Sequence, residues 1–285
     1  MPKKLEAIIL ADRNAKSLWP LTEHMPPCLL PMAGKPLIIH ALEALAASST
    51  ANVTVVVAID DEATPAALAE VSYPALDVEV TRLPKPFVEV DTLALRGDIV
   101  VSPREIEDLI MQFEDGAGFA SAGSAIGAWR LAPGASVPTW RQTATLAGEA
   151  DRTLPDLSAY WRMCMDVGNS DFAEIRPAGW IASDGIRVGM NARIQTRRAA
   201  GPGVSVGADA FVDKNVMLGE GAIIGDRAYV SKGARVVRSV VMPDTFVGVN
   251  VMLENAIACG PWLFHADDRT TERVSDQTTL ARLAA

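Results

Sequence analysis

Leu10-Ala11-Asp12-Arg13-Asn14-Ala15-Lys16-Ser17-Leu18-Trp19-Pro20-Leu21-Thr22 runs through Glu23-His24-Met25-Pro26-Pro27-Cys28 to Leu29-Leu30-Pro31-Met32-Ala33-Gly34-Lys35-Pro36. Before this stretch stands an apolar run, Ala7-Ile8-Ile9-Leu10, of the kind that forms a strand buried on both faces. After it, Leu37 to Leu45 reads as an amphipathic helix. Strand, loop and helix in that order open a doubly wound α/β sheet, in which ligands sit beyond the carboxyl ends of the strands. The stretch is therefore a binding loop by position.

Its order and spacing resemble the sugar-1-phosphate nucleotidyltransferases, the nucleotide-sugar pyrophosphorylases that include the GDP-mannose type. That family reads Leu-Ala-Gly-Gly-x-Gly-Thr-Arg-Leu-x-Pro-Leu-Thr, then Pro-Lys-x-Leu-Leu-Pro-x-x-Gly-Lys-Pro. Leu10, Ala11, Leu18, Pro20, Leu21, Thr22, Pro26, Leu29, Leu30, Pro31, Gly34, Lys35 and Pro36 keep the frame. The resemblance implies a Rossmann-like nucleotidyltransferase-type domain with Mg2+ as cofactor. It also implies a nucleotide or nucleotide sugar at Leu10, Ala11, Asp12, Arg13, Lys16 and Lys35.

The loop chemistry departs from that pattern. Glycines let backbone N–H groups approach a phosphate closely, but the three family glycines fall on Asp12, Arg13 and Ala15. Asp12 sets a carboxylate where a triphosphate would lie. The family's loop arginine falls on Ser17, and the lysine of its Pro-Lys pair on Pro27. Phosphoryl transfer depends on positioning and on neutralised charge. These degenerate positions predict the loss of most of the rate, with Arg13 and Lys16 as partial substitutes at unmatched positions.

Downstream, Val53 to Ile59 reads as a second buried strand, Pro65 to Val71 as a helix and Val78 to Val80 as a short strand. Leu93-Ala94-Leu95 leads into Gly97-Asp98. Ser102 as N-cap and Pro103 at N1 then open a helix from Arg104 to Phe113. The Gly-Asp pair resembles the family motif whose aspartate binds Mg2+, which would make Asp98 a metal ligand. Gly116 to Gly148 is rich in small residues, and the sugar-binding half looks truncated. Leu157 to Val167 reads as a helix. Against that, Asp166-Val167-Gly168-Asn169-Ser170-Asp171-Phe172 resembles the family's second metal motif, which would make Asp166 a second Mg2+ ligand. The helix is the favoured reading, because Pro177 and Gly179 leave little room for the helix that follows that motif in the family.

From Ile186 the period changes to six. Val188, Ile194, Val206, Val212, Leu218, Ile224, Val230, Val236 and Met242 are in phase, and small residues often sit four positions on, as at Ala210, Ala222 and Ala228. This is the hexapeptide signature of a left-handed parallel β-helix, three hexads to a coil with the aliphatic residue inside. The phase slips by one after Met242, to Val247. Pro261-Trp262-Leu263-Phe264 is expected to cap the open end, and Ala266 to Ala285 to be a short helix or disordered. The expected organisation is a truncated nucleotidyltransferase-like domain over 1–183, the β-helix over 184–260 and a cap and tail over 261–285.

A chain of 285 residues is long enough for a full core, and a net charge of −9 argues against a general nucleic-acid partner. No apolar run reaches the length of a membrane span. The start reads as a strand rather than a signal peptide, and Cys28, Cys164 and Cys259 are isolated, as expected of a reducing cytoplasm.

Three functions follow from these readings. The first is a catalytically impaired structural or regulatory relative of the nucleotidyltransferases, tied to nucleotide-sugar and polysaccharide synthesis. It would form a homo-oligomer through the β-helix, with an active nucleotidyltransferase as a further partner. The second is an active Mg2+-dependent sugar-1-phosphate nucleotidyltransferase using Lys16, Lys35 and Asp98. The third is a hexapeptide acyltransferase, which needs a histidine at the coil. Among His24, His40 and His265 only the last lies near the repeat. Phe211, Met217, Ile223, Tyr229 and Val241, each preceding an interior position, are expected to point outward and form apolar stripes.

Overall fold

The computed structural model describes residues 5–48, 50–107, 128–137, 154–168, 175–182, 185–196, 198–199 and 201–283. The chain forms two compact units, Met1–Leu30 with Pro36–Leu154, and Pro31–Lys35 with Pro155–Ala285.

The first unit holds β1 (Leu5–Ala11), α1 (Leu37–Ala46), β2 (Thr50–Val57), α2 (Ala63–Ala69), β3 (Asp77–Thr81), β4 (Thr92–Arg96) and β5 (Ala128–Leu131). The sheet order is β3-β2-β1-β4-β5. The first four strands are parallel and β5 runs antiparallel to β4. Side chains of successive strand residues point to opposite faces. Ala7, Ile9, Val53, Val55, Leu93 and Leu95 accordingly pack in one cluster with Ile38, Leu42 and Leu45 of α1. Ile8, Leu10 and Val56 pack on the other face. This two-sided burial explains the unbroken apolar runs in the sequence.

Two boundaries differ from expectation. β2 begins at Thr50 and ends at Val57, and Ile59 is 76% exposed, because the chain turns where Asp61 N–H donates to the Ala58 carbonyl. α2 begins at Ala63 rather than Pro65. Asp61 Oδ1 accepts the Thr64 N–H at 2.9 Å, which starts the helix early and puts Pro65 in the first turn, where its missing N–H costs nothing. The expected cap is present at residues 103–107, which are helical. Ser102 Oγ accepts from the Glu105 N–H, and Glu105 Oε2 accepts from the Ser102 N–H at 2.8 Å, a reciprocal capping box. The expected continuation to Phe113 and the Gly116–Gly148 segment lie largely outside the described residues.

In the second unit α3 (Leu157–Gly168) starts at Asp156, whose carboxylate accepts the Ala159 N–H. It buries Tyr160, Met163, Cys164 and Met165. Very short strands follow, and the chain visits three parallel sheets in rotation. Phe211–Val212 pairs with Tyr229–Val230, Met217–Leu218 with Arg235–Val236, and Ser205–Val206 with Ile223–Ile224, each partner eighteen residues on. Val206, Val212, Leu218, Ile224, Val230 and Val236 fill the interior. Turns between strands use left-handed backbone at Asn191, Asp209, Asn215, Arg227, Asp244 and Asn250.

The phase slip falls earlier than expected. Ile224 pairs with Val241, Val230 with Val247 and Val236 with Leu253, each seventeen residues on. Val241, not Met242, is the interior residue. The lost residue lies between Val237 and Val240. There Ser239, fully buried, donates its hydroxyl to the Val237 carbonyl at 2.7 Å and accepts the Ala256 N–H at 3.1 Å. A side chain so does the bonding that backbone would otherwise do. Met242 points away from the interior and meets Tyr160, whose hydroxyl is 3.7 Å from its Sδ.

Two further expectations are corrected. Outward residues six apart lie on different sheets, and those about eighteen apart stack. Phe211, Tyr229 and Phe246 form one ladder, with ring centroids 4.8 and 5.7 Å apart. The tail beyond Ala266 is neither helix nor disorder as far as 283. Trp262–His265 lies antiparallel between Ala256–Cys259 and Thr270–Arg273, and Leu280–Arg282 pairs antiparallel with Thr245–Val247. Leu280, 1% exposed, joins the interior cluster, and Leu263 packs against that cluster partly buried.

Candidate functional site

The crevice of an open α/β sheet forms where neighbouring strands send their connections in opposite directions. In the first unit that point is between β1 and β4. Leu10 and Arg96 are in register across these strands, and the Gly97 N–H donates to the Leu10 carbonyl at 2.8 Å. A Cβ at Gly97 would lie 3.2 Å from Ala11 Cα, so glycine permits this close passage. The loop after β1 and the turn after β4 are thereby held side by side, and with them Arg13, Arg96 and Asp98.

These three charged side chains form a buried cluster. Asp98 is 2% exposed. Arg96 Nε donates to its Oδ1 at 3.0 Å and Arg96 Nη2 to its Oδ2 at 2.9 Å, a bidentate pair. Arg13 Nη1 donates to the same Oδ2. Burial pushes the Asp98 carboxyl up, but the Arg96 charge and hydrogen bonds, then those of Arg13, outweigh it, so the net shift is down. Asp98 is ionised throughout the neutral range. Charged residues are seldom buried this deeply unless paired, and here two cations share one anion.

The other expected residues are distributed as follows. Leu10 and Ala11 are buried in β1 as backbone of the crevice, and Asp12 is half-buried beside them. Lys16 and Ser17 are exposed in the short 3-10 turn Lys16–Leu18. Pro27 is buried in Pro27–Leu29, next to Cys28, whose Sγ lies 3.3 Å from Thr64 Oγ1 and whose thiol burial pushes up to about 12. The loop is therefore not an exposed strap. Lys35 and Asp166 belong to the second unit, where Asp166 is exposed near the end of α3. The rest of the second metal motif, 169–174, lies outside the described residues. His265 sits on the antiparallel ribbon with Nε2 3.1 Å from Glu272 Oε1.

Arg96 is the functional candidate the sequence reading missed. Its signal was present: an arginine closing the apolar run Leu93-Ala94-Leu95 has no aqueous face to reach and needs a buried partner, and Asp98 is two residues on.

The donor set around Asp98 does not fit Mg2+. That ion wants near-octahedral oxygen ligands at about 2.0–2.1 Å. Both Asp98 oxygens already accept guanidinium N–H groups, and a third charge of the same sign would be repelled. Among the described residues no group of three acidic, histidine or cysteine side chains is arranged to hold a metal.

Sheet order, crevice and loop define the first unit as an open, mostly parallel α/β sheet unit with its crevice between β1 and β4. A family model described as nucleotidyl transferase matches residues 6–82, from β1 through the loop, α1, β2 and α2 to the end of β3. Asp98 and Arg96 lie beyond that span. No curated protein matches the chain. No helix among the described residues is long and apolar enough to cross a membrane.

Proposed function

We propose that this chain is a catalytically impaired nucleotidyltransferase-like protein that recognises a nucleotide or nucleotide sugar and serves a structural or regulatory role in nucleotide-sugar and polysaccharide supply. The observation that carries this reading is Asp98, whose two oxygens are taken by Arg13 and Arg96 at the position where the resemblance calls for Mg2+. The remaining loop supports it, since Asp12, Ser17 and Pro27 supply neither glycine backbone nor cation to a triphosphate. An unneutralised triphosphate gains little from positioning alone.

The second unit is read as a left-handed parallel β-helix. Three sheets visited in rotation, two-residue strands and eighteen-residue spacing support this. A homo-oligomer built through it, with an active nucleotidyltransferase as a further partner, completes the proposal. The ladder of Phe211, Tyr229 and Phe246 is the apolar surface on offer. A thermal-shift screen across nucleoside triphosphates, diphosphates and nucleotide sugars tests recognition, because a ligand that binds only the native state raises its apparent stability. Stabilisation by at least one nucleotide is expected, and no shift with any of them refutes recognition.

A further inference from the structure

The aromatic ladder of the second unit ends at a cavity of about 530 Å³, lined by Asn191, Arg193, Asp209, Ala210, Phe211 and Tyr229. We infer that this cavity is a binding site for an uncharged sugar ring, separate from whatever the first unit recognises.

Arg193, Phe211, Tyr229 and Phe246 hold equivalent positions on neighbouring parallel strands. Phe211 and Tyr229 stack at 4.8 Å with an interplanar angle of 18°, so Phe211 gives one face to Tyr229 and turns the other toward the Arg193 strand. At that step the ladder carries an exposed arginine instead of a ring, and the cavity lies there. These rings are not filling the interior, which Val212, Val230 and Val247 do from the next positions.

The turns before the strands supply the polar wall. Asn191, Asp209, Arg227 and Asp244 recur at equivalent places, all with left-handed backbone. Arg227 Nε and Nη2 donate to Asp244 Oδ1 and Oδ2 at 2.7 and 2.8 Å, so this arginine pairs with the turn beyond it and not with Asp209. Among the described residues no hydrogen bond or ion pair takes up the Asn191 amide, the Arg193 guanidinium or the Asp209 carboxylate. Their backbone is fixed: the Arg193 N–H donates to the Ala210 carbonyl and the Asp209 N–H to the Met190 carbonyl, both at 2.8 Å.

This lining sets the ligand class. Arg193 and Asp209 cancel in charge and the chain carries −9, so a phosphate or other anion finds no attraction there. The amide of Asn191 donates and accepts, Arg193 only donates and Asp209 only accepts. Adjacent sugar hydroxyls, each both donor and acceptor, satisfy all three. Aromatic faces are negative, and the C–H bonds on the flat side of a pyranose complement them. The volume is within the range of about 300–1,000 Å³ usual for small-molecule sites.

The experiment is saturation-transfer difference NMR of the full chain, titrated with the methyl glycosides of mannose, glucose, galactose and N-acetylglucosamine, and with one α-linked and one β-linked glucose trisaccharide. At least one should bind with a dissociation constant of about 1 mM or tighter. Equal affinity for glycoside and trisaccharide supports the inference with a single ring as ligand, and a tighter trisaccharide supports it with a chain. Asp209→Gly keeps the left-handed turn and should weaken binding by about tenfold or more. Phe211→Leu should weaken it by about threefold or more. A cooperative melt shows that each variant is folded. No binding of any glycoside or trisaccharide overturns the inference and leaves the nucleotide reading of the first unit standing. Binding that both folded variants keep within about twofold places the sugar elsewhere and also overturns it. Adenosine or guanosine bound more tightly than every sugar, and lost in Asp209→Gly, overturns it by making the ligand a flat base.

Discussion

Replacing Asp98 by alanine removes an anion that two buried guanidinium groups share. Arg13 and Arg96 then lose three hydrogen bonds to the two Asp98 oxygens, and their side chains, 7% and 5% exposed, cannot turn out to water without opening the crevice. Taking one partner from a buried ion pair costs about 3–5 kcal/mol, because the remaining charge is left uncompensated. At about 2–4 °C per kcal/mol for a unit of this size, the first unit should melt roughly 6–20 °C lower at neutral pH. The pH dependence follows from the depressed carboxyl. A group whose folded value lies below its unfolded value, near 3.9 for aspartate, stabilises fully above that unfolded value, and the contribution fades as pH falls through the folded one. Wild type should therefore lose this contribution below about pH 4, and Asp98→Ala should not. Calorimetry at pH 7 and at pH 3 to 4, following the first-unit transition, measures both. A triple change to Arg13→Met, Asp98→Leu and Arg96→Met should recover most of the loss, since an apolar replacement of a buried ion cluster is often neutral. The reasoning is refuted if Asp98→Ala falls within about 1 kcal/mol of wild type at pH 7, or if both proteins lose stability equally on acidification.

Three further outcomes are expected. Rebuilding the family loop, with Gly at Asp12, Arg13 and Ala15, Arg at Ser17 and Lys at Pro27, should destabilise the chain by several kcal/mol in urea melts, because Arg13, Ala15 and Pro27 are buried and Arg13 holds Asp98; an unchanged midpoint would show that the loop carries no structural load. In native protein at pH 8, Cys28 and Cys164, both pushed up to about 12 by burial, should carry roughly a thousandfold less thiolate than an ordinary thiol and resist iodoacetamide until the chain unfolds, as mass spectrometry would show. Val241→Ala should cost about 1–3 kcal/mol and Val241→Asp should abolish cooperative folding of the second unit, whereas the sequence phase alone would assign Val241 to the surface and predict little effect from either.

The sheet and the coil were legible because burial on two faces and a six-residue period leave marks in one dimension. Ile8, Leu10, Val53 and Val55 announce their strands without tertiary information. The slip at Ser239 was visible only as a change of phase, since Val240, Val241 and Met242 are all apolar and only pairing decides which one faces inward. The terminal strands were not legible. Thr270–Arg273 is exposed along its length and is held by backbone hydrogen bonds to Trp262–His265, which composition does not record. At the site, the spacing marked Asp98 and the loop but not the ion pairs that join them to each other and to Arg96. Arg13 and Asp98 are 85 positions apart, and whether an arginine faces a phosphate or a carboxylate is fixed by the register of β1 against β4. The loop is polar, yet its arginine is turned inward by the charge it meets there.

The most direct test of a nucleotidyltransferase-like chain without its catalysis is pyrophosphate release from each nucleoside triphosphate in the presence of Mg2+ and a panel of sugar 1-phosphates. No release above the protein-free background is predicted with any pair, for a protein shown by calorimetry to be folded. Turnover of about 1 per second or faster with any pair, within the usual enzyme range, would contradict the account.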